Sequence, residues 1–175
     1  MNYITLTVGT IIIVLFSWYF SIREKRFHGI ARFFAFESIF ILVLLNWKVW
    51  FHNPFSVYQI ISWILLFTCI YPGIAGFVLL HRKGKPEDGH IERTTVIVKS
   101  GIYKYIRHPL YCSLLLLGTG IMFKYPGNLQ LVFGAVNLVA LYFTARIEEK
   151  EMIAKFDEEY IQYMSGSRMF IPFLF

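Results

Sequence analysis

The chain has 175 residues, of which 57% are hydrophobic, 19% aromatic and only 16% charged, and it carries a formal net charge of +6. So little polar surface cannot cover a water-soluble sphere of this size, which excludes a soluble globular enzyme and indicates an integral membrane protein. The 17 basic residues show no zinc-finger, basic-helix or aromatic RNA-binding pattern; their expected partners are membrane lipids, not nucleic acid.

A bilayer core about 30 Å thick needs roughly 20 apolar residues in a helix. Five stretches approach that: Tyr3 to Phe20, Ile30 to Trp47, Val57 to Leu80, Leu110 to Phe123 and Leu129 to Ile147. The first has no basic residues before it and no small-residue cleavage site after it, so it reads as a retained helix and not a signal peptide. In the second, Glu37 is costly inside a span and marks a paired or functional position, with Arg32 its expected partner. Asn46, Lys48 and His52 read as the outer interface, with Trp47 and Trp50 as anchors. The fourth stretch is short enough to cross obliquely or incompletely.

Threaded through these spans, fifteen of the 17 basic residues fall on one face. Arg23, Lys25, Arg26 and Arg32 follow the first span; Arg82, Lys83, Lys85, Arg93, Lys99, Lys104 and Arg107 follow the third; Arg146, Lys150, Lys155 and Arg168 follow the fifth. Only Lys48 and Lys124 fall on the other face. The positive-inside rule then places the N-terminus outside, and the third loop and C-terminal tail in the cytoplasm.

That loop, His81 to Ser100, opens on the turn-rich Gly84-Lys85-Pro86-Glu87-Asp88-Gly89. It continues as the β-branched Thr94-Thr95-Val96-Ile97-Val98, which predicts an ordered extended segment with backbone groups free to read the edge of a purine. Next comes Gly101-Ile102-Tyr103-Lys104-Tyr105-Ile106-Arg107-His108-Pro109-Leu110-Tyr111. Pro109 keeps His108 out of the helical region and fits a first helical turn, where a missing N–H costs nothing. The positive end of that helix beside Arg107 makes a site for a carboxylate or phosphate. The plainer alternative makes Arg107 and His108 headgroup anchors, with Tyr103, Tyr105 and Tyr111 as an aromatic belt.

The turn Lys124-Tyr125-Pro126-Gly127-Asn128 folds the last two spans into a hairpin, which brings Glu148 and Glu149 back towards Arg107 and His108. Their carboxylates can take an ammonium or ribose hydroxyls. Beyond them Ile153, Phe156, Tyr160 and Met164 recur at helical spacing, an amphipathic helix for the membrane interface, and Arg168 follows where it can fold back over the site. Cys69 and Cys112 lie in apolar helices, where a thiol behaves as a small hydrophobe, and no structural disulfide is expected. There is no metal-ligand spacing, phosphate-cradling glycine loop or nucleophile elbow, which lowers metal catalysis, nucleotide hydrolysis and serine hydrolysis as readings.

Four blocks in order, Val98-Lys99-Ser100-Gly101-Ile102-Tyr103, Arg107-His108-Pro109-Leu110-Tyr111, Glu148-Glu149 and Phe156-Asp157-Glu158-Glu159-Tyr160, resemble the isoprenylcysteine carboxyl methyltransferase family. The related phospholipid N-methyltransferases share much of the pattern. The resemblance covers roughly residues 84 to 175. It implies S-adenosylmethionine as cofactor, held by Val98, Gly101, Tyr103, His108, Pro109, Tyr111, Glu148 and Glu149, with Arg107, Glu148 and Arg168 in catalytic roles, no metal, and a lipid-like acceptor entering from the bilayer. Thr95 stands where relatives often have a histidine. Carboxyl methylation of a prenylcysteine-type acceptor is the leading expectation; the alternatives are ethanolamine-phospholipid N-methylation, an NADPH-dependent membrane reductase and a non-catalytic membrane binding module. The expected fold is all-α, a bundle of about five transmembrane helices. It forms a single membrane domain 1–175, with three N-terminal helices in 1–80 and a cytoplasmic cofactor-binding half in 81–175.

Overall fold

The computed structural model describes residues 3–20, 28–85 and 94–172; Arg23, Lys25, Arg26, Arg93 and the turn from Pro86 to Gly89 lie outside them. The described chain folds into the helices α1 Tyr3–Phe20, α2 His28–Asn46, α3 Val57–Thr68, α4 Ile70–Lys83, α5 Pro109–Met122, α6 Asn128–Phe156 and α7 Glu158–Gly166. Among the described residues there is no strand, and an isolated parallel bridge joins Ile106 and Arg168. The all-helical expectation holds.

Three stretches, His28–Val49, Val57–Lys83 and Asn128–Phe156, are long and apolar enough to cross a membrane, and the chain is an integral membrane protein. Tyr3–Tyr19 and Pro109–Met122 are shorter apolar helices. At the helical rise α5 extends only about 21 Å and α6 about 44 Å, against a hydrocarbon core of about 30 Å. The polar end of α6 therefore has length to spare beyond its apolar part.

Two breaks interrupt expected helices. Val57 to Leu80 reads as one apolar run, yet the helix is broken at Cys69. Pro72 offers no N–H to the Thr68 carbonyl and its ring crowds that oxygen, so the ladder restarts at Ile70. At Asp157 the backbone adopts φ 50° and ψ −130°, dividing Ile153 and Phe156 from Tyr160 and Met164. Tyr160 is buried in the protein, not laid on an interface.

The chain forms two compact units, Met1–Phe67 with Leu115–Ile147, and Thr68–Leu114 with Glu148–Phe175. Lipid tails are as apolar as leucine, so close packing and interhelical hydrogen bonds must hold membrane helices together. The first unit uses both. A Cβ on Gly118 would lie 2.5 Å from Asn137 Oδ1, and Asn137 Nδ2 donates to the Ala35 carbonyl at 3.1 Å. Asn46 Nδ2 donates to the Ile121 carbonyl at 2.7 Å while its Oδ1 accepts from Gln130 Nε2 at 3.0 Å. Asn46 is thus fully buried, whereas Lys48 and His52 are exposed. A buried amide has to be satisfied, and these partners lie too far away in sequence to be foreseen.

Glu37 also differs from expectation: its carboxylate accepts from Thr10 Oγ1 at 2.7 Å, not from Arg32. Residues five apart on a helix are rotated by roughly 140°, which separates the two side chains. The Arg32 guanidinium lies over the Phe16 and Phe36 rings, 6.0 Å from each centroid.

Lys124, between α5 and α6, is buried. Its Nζ sits 3.4 Å from the Trp63 ring centroid and 5.3 Å from that of Trp50, and donates to Gln59 Oε1 at 3.1 Å. Burial pushes its amine from 10.5 down to about 8. Below that value the folded protein must hold a desolvated ammonium; as pH rises the folded state releases its proton before the unfolded state does, so stability should rise with pH between about 8 and 10.5. Thermal unfolding in neutral detergent checks this. Lys124→Met should flatten the slope, and equal slopes in the two proteins would show that the amine is not desolvated.

In the second unit the Thr95 and Val96 N–H groups donate to the Gly84 carbonyl at 2.9 and 3.3 Å, and Lys155 Nζ donates to the Thr94 carbonyl at 2.8 Å. Residues 94–100 run without helix, as their β-branched composition predicts. α4 and the start of α5 approach closely at Gly76, where a Cβ would lie 2.8 Å from Pro109 Cγ.

Candidate functional site

α5 begins at Pro109, as the Arg-His-Pro step predicts. The tail beyond α7 pairs with the residues just before it: Arg168 N donates to the Tyr105 carbonyl at 2.9 Å, Arg107 N to Arg168 O at 2.8 Å and His108 N to Met169 O at 3.2 Å. This pairing brings chain carbonyls onto the Arg107 guanidinium, whose Nη1 donates to Ser167 O at 2.5 Å and Met164 O at 3.3 Å. Its Nε donates to Glu149 Oε1 at 2.8 Å, with the Arg107 side chain 9% exposed and that of Glu149 2% exposed. His108 completes the cluster, with Nε2 3.4 Å from Glu149 Oε1 and Nδ1 3.8 Å from Glu148 Oε2. The Tyr111 ring stacks on the imidazole at 5.4 Å and Phe170 tilts against it at 6.2 Å.

Tyrosines brace this cluster. Tyr103 Oη donates to the Gly76 carbonyl at 3.3 Å, and Tyr163 Oη donates to the Tyr103 carbonyl at 2.7 Å. Burial first, and then the Glu148 carboxylate, push the Tyr103 phenol well above its ordinary value. Burial, then Glu148 and Glu149, do the same to Tyr160. Both stay protonated and able to donate at neutral pH.

The short 3-10 turn Gly101–Lys104 that presents Tyr103 starts at φ +61° on Gly101, where a Cβ would lie 2.6 Å from Leu79 Cδ1. An L-residue in the left-handed region costs roughly 1–2 kcal/mol, and the Leu79 methyl can move aside. Gly101→Ala should therefore destabilise by about that amount, measured by urea or thermal unfolding in detergent; an unchanged midpoint would show that the turn relaxes freely.

The cluster thus joins Arg107, His108, Glu148, Glu149 and Tyr111, with Tyr103, Gly101 and Pro109 in the packing that supports it. Val98 is buried in the extended segment. Thr95 spends its hydroxyl on the Lys85 carbonyl at 2.9 Å. Arg168 joins through its backbone alone: its side chain is exposed, and among the described residues it makes no side-chain hydrogen bond or ion pair with the cluster. Tyr160, Tyr163 and Phe170 are additions that the sequence reading did not assign to the site. The three-residue spacing of Tyr160 and Tyr163, on one face of α7, is the signal that could have found the first two.

Two polar atoms of the cluster, His108 Nε2 and Glu148 Oε2, are buried without a hydrogen-bond partner. Buried polar groups are nearly always satisfied; His108 Nε2 has Glu149 Oε1 at 3.4 Å as its nearest acid, and a polar ligand would satisfy both atoms. Two carboxylates stand there against one guanidinium, which suits a ligand bearing positive charge.

Residues 89–154 match the isoprenylcysteine carboxyl methyltransferase (ICMT) family. The chain is 34% identical over 94 residues to protein-S-isoprenylcysteine O-methyltransferase of Saccharomyces cerevisiae, covering 53% of this chain and 37% of the relative. It is 25% identical over 162 residues to methanethiol S-methyltransferase 1 of Bradyrhizobium diazoefficiens, covering 81% of this chain and 54% of the relative. Methanethiol S-methyltransferase of Pseudomonas deceptionensis is 26% identical over 162 residues, covering 81% and 58%. The chain thus spans between 37% and 58% of the length of these curated relatives. No solved structure matches it.

Proposed function

We propose, from the match of residues 89–154 to the isoprenylcysteine carboxyl methyltransferase family, that this chain is a membrane methyltransferase using S-adenosylmethionine on an amphipathic, lipid-like acceptor. One observation carries the reading: the family segment contains Arg107, His108, Glu148 and Glu149, and in the fold they lie at contact distances of 2.8 to 3.8 Å. When bound, the cofactor would supply an electrophilic methyl group on a sulfonium. His108 and Glu148 offer it unsatisfied buried atoms, Tyr111 an aromatic wall, and residues Val98 to Tyr103 their backbone. Arg107 is a positioning residue, committed to Glu149 and to two carbonyls of the tail. Methyl transfer needs in-line placement and exclusion of water more than a strong base, and the burial of the cluster under the tail supports the second.

A prenylcysteine-type carboxylate needs no base to accept the methyl group, because it is already ionised at neutral pH. The name of the yeast relative supports that acceptor. The methanethiol relatives favour a second reading, S-methylation of a small thiol. In the membrane we place about five spans, with the N-terminus outside and the site and C-terminus on the cytoplasmic side, following the basic residues.

Incubating the purified chain with methyl-labelled S-adenosylmethionine and a prenylated cysteine analogue, phosphatidylethanolamine or methanethiol tests the reading. Base-labile label on the cysteine analogue is expected. Label on the amine lipid or the thiol alone would overturn the carboxyl assignment, and no transfer to any acceptor would count against the enzyme reading itself.

A further inference from the structure

We propose that the pocket lined by Lys104, Tyr105, Ser165, Gly166 and Arg168 binds the phosphate of an anionic phospholipid headgroup. Its volume is about 210 Å³, below the roughly 300–1,000 Å³ of pockets that enclose a whole small molecule. That is room for one oxyanion, not for a nucleoside cofactor.

Two cations line this space, and neither Lys104 nor Arg168 has an acidic partner among the described residues. Both stand on held backbone. Lys104 closes the 3-10 turn Gly101–Lys104, and Arg168 is fastened on both sides by the bonds to Tyr105 O and from Arg107 N. Less ordering is then needed on binding, and an ammonium beside a guanidinium fork matches the oxygens of a phosphate. Gly166 leaves the wall open, since a Cβ there would meet nothing within 4 Å.

The rim favours a lipid as the source of the phosphate. Tyr105 is 47% exposed, and Ile161, one turn before Ser165 on the same face of α7, is 51% exposed. An exposed aromatic and an exposed aliphatic residue beside two cations, with Lys104 Nζ 5.8 Å from the Tyr105 ring centroid, form the mixed surface found at the headgroup level of a bilayer.

The proposal does not depend on the methyltransferase reading, and its test reads binding alone. The chain in a neutral detergent is unfolded thermally with short-chain phosphatidylglycerol, phosphatidylcholine of equal chain length, inorganic phosphate or a prenylated cysteine carboxylate. Phosphatidylglycerol alone should raise the midpoint saturably. The Lys104→Gln/Arg168→Gln variant should need about tenfold or more of it, while Arg82→Gln/Lys150→Gln, which removes two exposed cations elsewhere, should behave as wild type. No shift in the wild type, an unchanged response in the first variant, or equal losses in both variants would overturn the site. Saturation by inorganic phosphate at equal concentration would overturn the lipid as source. An equal shift with the prenylated carboxylate, lost in the first variant, would make the pocket an acceptor subsite instead.

Discussion

Replacing Glu149 by alanine is expected to cost about 3–5 kcal/mol of stability, the usual penalty for leaving one charge of a buried pair without its partner. Glu149 is the anchor of the cluster, because its Oε1 accepts from Arg107 Nε at 2.8 Å and lies 3.4 Å from His108 Nε2. With it gone, the Arg107 guanidinium keeps only the carbonyls of Met164 and Ser167, and the tail they belong to loses its reason to close. Chemical denaturation followed by tryptophan fluorescence measures the loss. An Arg107→Met/Glu149→Met variant should recover much of it, since an apolar pair of similar volume often matches a buried ion pair. A loss below about 1 kcal/mol for Glu149→Ala would mean that the pair behaves as a solvated surface bridge.

Glu148→Ala should do the reverse, sparing the fold and weakening the ligand. Its Oε2 lies 3.8 Å from His108 Nδ1 and has no hydrogen-bond partner, so removing it breaks little that holds the protein together. S-adenosylhomocysteine binding should fall by about 1–3 kcal/mol, roughly five- to 150-fold in Kd, as titration calorimetry would show. Glu148→Gln, which keeps an acceptor oxygen but not the charge, should lie between the two. Wild-type affinity in both variants would return Glu148 to the role of a surface acid at a helix end.

By itself the sequence determined the membrane class, the helical fold and the start of α5, because each rests on local chemistry: apolar length, a Pro fitted to a first turn, and a β-branched run before it. It also determined that Arg107 and His108 would meet Glu148 and Glu149, since a short turn between two apolar helices returns their ends to one side. Only the tertiary structure decided what Arg107 does there. A helix start alone would leave its guanidinium open to an outside anion, but the pairing of residues 105–108 with Arg168 and Met169 turns Ser167 and Met164 carbonyls onto it. Backbone pairing between segments about 60 residues apart leaves no periodic mark in sequence. The same holds for Asn46, buried on Ile121 and Gln130, and for Tyr160, taken into the protein by the turn at Asp157. Periodicity records which face of a helix is apolar; which polar group completes another's hydrogen bonds is settled only when distant helices meet, and in lipid those bonds carry much of the helix association.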